Sequence, residues 1–277
     1  MYELGISSDI RKAIIGEDKW LFLGNQYNNV LSKSYVSYQF SIDEAEKNEV
    51  FMGRLESLAT KYNATFTFLS TPNKHSIYGD KIGIDTMDGS YSFYESHTLE
   101  KRSDLTRYLR GVKSKVGEDL YFKTDTHWND YGAFYGYQYL MNEQFKAKYK
   151  SIPLSTPFSR LGHTGGDLAR FLNVTDFVTD YNVSPVTPDS TLVKRLNLFT
   201  GESSIVDIQG NINNSEIKNA IQVKNDNALN DITVLWLHDS FGRAMSPYMH
   251  STFSTVVHQH YGYAFKDMEY FQGLVDR

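Results

Sequence analysis

Towards its C-terminus the chain runs Ile232-Thr233-Val234-Leu235-Trp236-Leu237 and then His238-Asp239-Ser240-Phe241-Gly242. A helical stretch from Arg243 to His250 follows, and after it a β-branched segment from Ser254 to Val257. An unbroken apolar run of six residues predicts a central strand buried on both faces. Strand, turn, helix and strand in succession is the grammar of a βαβ unit, which confines the chain to α/β folds built on a parallel sheet.

The rest of the chain fits that class. Gly16 to Leu23 predicts a short strand or hairpin, and the Tyr-, Asn- and Ser-rich stretch from Asn25 to Tyr38 predicts a surface loop. Ser41-Ile42-Asp43-Glu44 reads as a capping box opening a helix to about Tyr62, whose apolar stripe is Phe51, Leu55, Leu58, Ala59 and Tyr62. Thr65 to Leu69 predicts a strand ending in the turn Ser70-Thr71-Pro72-Asn73. Leu99 to Val116 predicts a helix, Asp119 to Phe122 a short strand, and Asp130 to Tyr149 a long amphipathic helix. Residues 151–221, richer in Ser, Thr, Asn and Pro, read as an irregular insertion with some strand. With no repeat and no low-complexity linker in 277 residues, one domain spanning 1–277 is expected.

Composition removes several functions. Lys and Arg number 28 against 33 Asp and Glu, so no basic excess exists to neutralise a phosphate backbone, and nucleic acid is not an expected partner. The chain has 0 cysteines, which excludes disulfides, thiolate nucleophiles and cysteine zinc sites. Its 20 Tyr, 17 Phe and 3 Trp suit a protein that lines grooves with flat rings, of which sugars are one natural guest. No metal-ligand spacing is present among the 8 histidines: there is no His-x-x-x-His, and pairing His258 and His260 with Asp239 has no motif behind it. Gly165-Gly166 lacks the Lys-Ser/Thr of a phosphate loop, so no metal and no cofactor is expected. No apolar run approaches the length of a membrane span.

Two places could carry chemistry. Ser240 lies just past the carboxyl end of a predicted strand and at the amino end of a helix, where open α/β sheets put their sites and where helix amides can stabilise an oxyanion. The same Asp-Ser pair also reads as a plain helix cap. His127 lies two residues after Asp125, and in an extended segment both side chains point the same way, so a loop can present carboxylate and imidazole together. A loop histidine beside a turn aspartate is the alternative. Asn73 after the Thr65–Leu69 segment and Arg243 one turn into the helix are candidate oxyanion donors, Asn73 also reading as a turn residue. Trp128 could stack on a sugar ring or pack in the core.

Several stretches together resemble the SGNH-hydrolase-like domain of the AlgJ/AlgX alginate O-acetyltransferase family. They are Gly16 to Leu23, Thr67 to Tyr78 with its Pro-x-Lys and following Tyr, Asp125-Thr126-His127-Trp128 through Gly132, Gly166-Asp167-Leu168-Ala169, and Val234 to Tyr248 with Asp-Ser-Phe and a downstream Pro-Tyr. The resemblance implies a three-layer α/β/α sandwich with a mostly parallel sheet. It implies Ser240 as nucleophile, His127 as general base and acid, and Asp125 as the carboxylate that orients it, in the family's order of His before Ser. It also implies an extracytoplasmic O-acetyltransferase acting on a cell-surface or secreted polysaccharide. The acetyl donor would come from a separate membrane acyltransferase, and any N-terminal anchor would lie outside these residues. An acetylesterase of the same mechanism, or a non-catalytic carbohydrate-binding scaffold of an export assembly, are the other readings. The family's usual glycine before Asp-Ser is His238 here, which bears on how tightly the nucleophile turn can close. The family usually continues into another strand beyond the point where this chain ends, so a trimmed chain or a missing edge strand is expected.

Overall fold

A computed structural model describes residues 9–34, 42–83, 103, 105–186, 191–208 and 218–277. The chain divides into two compact units, Met1–Trp128 with Arg160–Asn182 and Asn129–Ser159 with Val183–Arg277.

In the first unit β1 (Ala13–Ile15) and β2 (Leu21–Leu23) form an antiparallel hairpin, of which β2 falls within the stretch Gly16 to Leu23 expected to be a strand or hairpin and β1 precedes it. Among the described residues α1 (Val30–Lys33), α2 (Ile42–Lys61), α3 (Lys74–Tyr78) and α4 (Leu105–Lys113) follow in sequence. The segment expected to be loop from Asn25 thus holds a short helix, while Tyr35 to Tyr38, Ser41 with its capping box, and the predicted start of α4 at Leu99 lie outside the described residues. Thr65 to Leu69 forms no regular strand, because β-branched and aromatic residues favour a pleated surface only where a neighbouring strand supplies one. The stripe predicted for α2 is also more open than expected: Met52 is buried, but Phe51 and Tyr62 are exposed.

β3 (Phe158–Thr164) and β4 (Thr179–Pro185) pair as a two-stranded sheet, with α6 (Asp167–Phe171) between them in sequence. Leu168, Ala169 and Leu172 pack with Ala13 and Leu21 of the hairpin into the core of the first unit. α6 is preceded in the chain by α5 (Asp130–Tyr139), which belongs to the second unit. The helix expected over Asp130 to Tyr149 is therefore shorter than predicted, ending in a widened turn over Leu140–Gln144.

The second unit holds a five-stranded sheet ordered β6 (Ser203–Asp207), β5 (Leu192–Asn197), β7 (Ile221–Lys224), β9 (Phe253–His260), β8 (Asn230–His238). β8, α7 (Gly242–Thr252) and β9 are the βαβ unit read from the sequence, and β8 and β9 pair in parallel. The other pairings, β5 with β6, β5 with β7 and β7 with β9, are antiparallel, so the sheet is mixed rather than mostly parallel. The expectation that Ile232 to Leu237 is a central strand buried on both faces is corrected as well. β8 stands at the sheet's edge and is half-buried over most of its length, whereas Val256, Val257, His258 and Gln259 of β9 are all buried, so the strand covered on both faces is β9.

α5 and α7 pack through rings, with Phe134 and Tyr137 meeting Tyr248 at centroid distances of 5.5 and 5.7 Å. Two hydrogen bonds fix their register: Tyr137 lies 2.7 Å from the Thr252 hydroxyl, and Tyr248 donates to the Asp130 carbonyl at 2.8 Å. Pro247 sits inside α7 and has no N–H for the Arg243 carbonyl. The Ser246 hydroxyl donates to that carbonyl at 2.8 Å instead, which lets the helix continue. α8 (Tyr261–Ala264) and α9 (Met268–Val275) close the chain. Among the described residues no helix is long and apolar enough to cross a membrane.

Candidate active site

Asp125, Thr126 and His127 form the tip of a loop closed at its base by a bridge between Tyr121 and Trp128 and by the Phe122 amide, which donates to the His127 carbonyl at 3.3 Å. This bridge is all that remains of the strand predicted over Asp119 to Phe122. The loop brings Asp125 and His127 together as the sequence suggested: His127 Nδ1 lies 2.6 Å from Asp125 Oδ1, and the His127 amide donates to the same oxygen at 3.1 Å. A carboxylate only accepts, so Nδ1 carries the proton and Nε2 is the basic nitrogen of the ring.

Burial alone would raise the Asp125 carboxyl, but the hydrogen bond and charge of His127 and the amides of Asp167 and His127 outweigh it and hold the group below the usual carboxylate range. Asp125 therefore stays ionised when His127 takes up a proton, which is what an orienting carboxylate must do.

The remaining supports were not visible in the sequence as chemistry. Gly166 and Asp167 close over the loop from α6: the Asp167 amide donates to Asp125 Oδ2 at 2.9 Å, and the Thr126 amide and hydroxyl donate to the two Asp167 oxygens at 2.8 and 2.6 Å. A β-carbon at Gly166 would lie 2.3 Å from that of Asp125, so only glycine allows this approach. Thr124 is fixed by Asp180, which accepts from its amide and its hydroxyl at 2.7 Å each. Asp125, His127 and Asp167 also bring ligand-type atoms within 4.8 Å of one another, a grouping the sequence spacing does not reveal.

Lys74 and Tyr78, which match the resemblance without a role readable from sequence, anchor the loop from below. Lys74 is 2% exposed, and its ammonium donates to the carbonyls of Leu21, Phe122 and Lys123 at 2.6, 2.8 and 3.2 Å. Burial lowers its pKa to about 8 against the opposing pull of Asp125, Asp180 and Asp167. Tyr78 stacks on Trp20 at 4.2 Å, and its hydroxyl accepts from the Leu120 amide at 2.8 Å. Replacing Lys74 with methionine fills the same space but takes the charged donor from three carbonyls, of which that of Lys123 keeps the Leu21 amide, and removes the cation facing three carboxylates. A loss of about 3 kcal/mol in first-unit stability is expected, from hydrogen bonds to a charged group set against the relief of lysine desolvation. Chemical denaturation followed through Trp20 and Trp128 fluorescence measures it; an unchanged midpoint would show that Lys74 is a passive filler.

Asn73 lines a small cavity of about 10 Å³ together with Leu23, Val30, Lys74, His75 and Thr126. Although it caps α3 in position, its side chain makes no capping hydrogen bond, so a cap is not its use. Trp128 is 1% exposed and belongs to the core, the second of the two uses read for its ring.

Ser240 and Arg243 belong to the second unit. Ser240 is half-buried in the turn between β8 and α7, as the strand–turn–helix reading expected, and Arg243 lies in the first turn of α7. The turn is organised by Asp239: its Oδ1 accepts from the Phe241 amide at 2.9 Å and its carbonyl from the Gly242 amide at 3.1 Å. Asp239 thus closes the turn that leads into α7, whose N-cap position is Phe241.

A serine on a strand-to-helix turn, and elsewhere in the chain a histidine oriented by an aspartate two residues before it, are the marks of an SGNH-hydrolase-like domain. The chain belongs to the family described as SGNH hydrolase-like domain, acetyltransferase AlgX, whose model matches residues 13–207. Among solved structures it is similar to PatB1 of Bacillus cereus, at 20% identity over 90% of this chain and 87% of that one with a TM-score of 0.59. PatB1 with a sulfonyl adduct gives 20% identity, 93% and 91% coverage and a TM-score of 0.61. A DHHW family protein of Eubacterium siraeum DSM 15702 gives 14% identity, 92% and 84% coverage and a TM-score of 0.56. Comparison with curated protein sequences finds no match.

Proposed function

We propose that the protein is a serine-dependent O-acetyltransferase acting on a polysaccharide outside the cytoplasm. The observation that carries the reading is the 2.6 Å pairing of His127 Nδ1 with Asp125, which presets the tautomer a general base needs. Ser240 Oγ attacks the acetyl carbonyl while its proton passes to His127 Nε2. The tetrahedral oxyanion collapses with loss of the donor's alkoxide, which takes that proton, and leaves acetyl-Ser240. A sugar hydroxyl, deprotonated by His127, then takes the acetyl group and restores the serine. Asn73 and Arg243 are the side-chain donors considered for the oxyanion. The acetyl donor is supplied by a separate membrane acyltransferase, and water in place of the sugar makes the same intermediate an acetylesterase.

A small chromogenic acetyl ester tests this directly. Turnover is expected, with an intact-mass gain of about 42 Da, one acetyl group, mapped to the peptide containing Ser240. A sulfonyl fluoride, the serine-directed reagent class that leaves a sulfonyl adduct, is expected to label the same residue. Saccharide binding without turnover, acetyl adduct or sulfonylation would replace this reading with that of a carbohydrate-binding scaffold.

A further inference from the structure

Where the resemblance leads one to expect glycine, this chain puts His238, and the ring is built into the turn that follows it. The imidazole is 6% exposed. Its Nδ1 lies 2.6 Å from the Asp239 carbonyl oxygen, the same oxygen that accepts from the Gly242 amide. A β-carbon at Gly242 would sit 2.5 Å from His238 Cγ and Nδ1, so the start of α7 rests directly on the ring.

The acceptors assign the protons. A carbonyl only accepts, so His238 Nδ1 bears the hydrogen and Nε2 is an acceptor. Nε2 lies 3.3 Å from Nδ1 of His258, which is 1% exposed on β9 and must then be the donor. The rings of Trp236 and His258 flank His238 at centroid distances of 4.5 and 5.5 Å, so it has no second place to go. Burial, together with the charge of His260 and against the bond to Asp239, lowers its pKa to about 4, which keeps the ring neutral with a single N–H.

We propose that His238 is a positioning residue for Ser240, and that its Nδ1–H bond to the Asp239 carbonyl sets the plane of the Asp239–Ser240 peptide. That peptide group is planar, so fixing its oxygen fixes the direction of the Ser240 amide and the start of the serine side chain. A nucleophile and its own amide, the nearest oxyanion donor, are thereby held in one geometry. The inference rests on Ser240 being the nucleophile.

Asparagine and glutamine separate the two nitrogens of the ring. The amide nitrogen of Asn at 238 overlies Nδ1 and can donate to the Asp239 carbonyl, whereas that of Gln overlies Nε2 and cannot. With the chromogenic acetyl ester, His238→Asn is expected to keep kcat within about threefold of wild type. His238→Gln is expected to lose about 10- to 100-fold in kcat with KM little changed, the pattern of a transition-state effect. A purely structural role would lower the melting temperature of both variants and leave their kcat alike. Equal kcat in two folded variants overturns the proposal and leaves the Ser240 reading standing; no turnover and no adduct in wild type overturns both. Should either variant fail to fold, nitrogen-resolved NMR of the wild-type histidines decides: a proton on Nδ1 of His238 supports the proposal, and one on Nε2 overturns it.

Discussion

Replacing Ser240 with alanine is expected to lower acetyl-ester turnover by about 10⁵- to 10⁶-fold, with the circular dichroism spectrum and melting temperature unchanged. The serine contributes one hydroxyl from a half-buried turn that Asp239 organises, so little packing is lost. His127→Ala should fall as far, because nucleophile and base act as a unit and either loss removes both. Asp125 is different: it also accepts from the amides of Asp167 and His127, so Asp125→Asn should cost less turnover than either, about 10⁴-fold, and loosen the loop in addition. Stopped or steady-state assays of the three variants beside wild type read this order directly. Full activity in folded Ser240→Ala would remove the serine mechanism.

Acidification is expected to unfold the second unit well before its carboxylates protonate. His238, His250 and His258 are buried there together, with the rings of His250 and His258 5.3 Å apart. Burial first, then the charges of neighbouring histidines and of Arg195 on β5, pushes His250 to about 3 and His258 well below its ordinary value. His238 falls to about 4. Folded-state values depressed below an unfolded value of 6.5 mean that the unfolded chain binds more protons. The stabilisation is therefore complete above pH 6.5 and is lost as pH falls towards about 4. Each such histidine contributes about 1.4 kcal/mol per pH unit in that window, and three together up to about 4 kcal/mol per unit. Denaturant titrations at pH 7, 6 and 5, read through Trp236, measure the slope. His250→Gln should reduce it by about a third, and a flat profile from pH 7 to 5 would show that the three rings are not buried neutral.

The residues adjacent in sequence were the ones most readily read. Asp125 and His127 are two apart, and Ser240 follows its strand immediately, so a local pattern carries both placements. Lys74, Asp167 and Asp180 act on carbonyls, amides and hydroxyls that lie far away along the chain, and nothing near them in sequence announces those partners. The run Ile232 to Leu237 misled for a related reason: hydrophobicity indicates that a strand wants cover, but not on which side of it the next strand lies. β9, read only as a strand over Ser254 to Val257, is the one flanked on both sides. Trp128 stands beside His127 in sequence, but its bridge to Tyr121 and its burial put it in the core.

The contact between Gly166 and Asp125 also bears on how such a chain can change over time. A position without space for a β-carbon permits one amino acid, and here that restriction falls on a residue that performs no chemistry. Drift at surface loops can alter what the protein meets, but position 166 must stay glycine for as long as residue 125 holds this place. A related sequence that retains Asp-Thr-His while carrying a larger residue where Gly166 stands would have given up this arrangement of the loop, whatever its motif still spells.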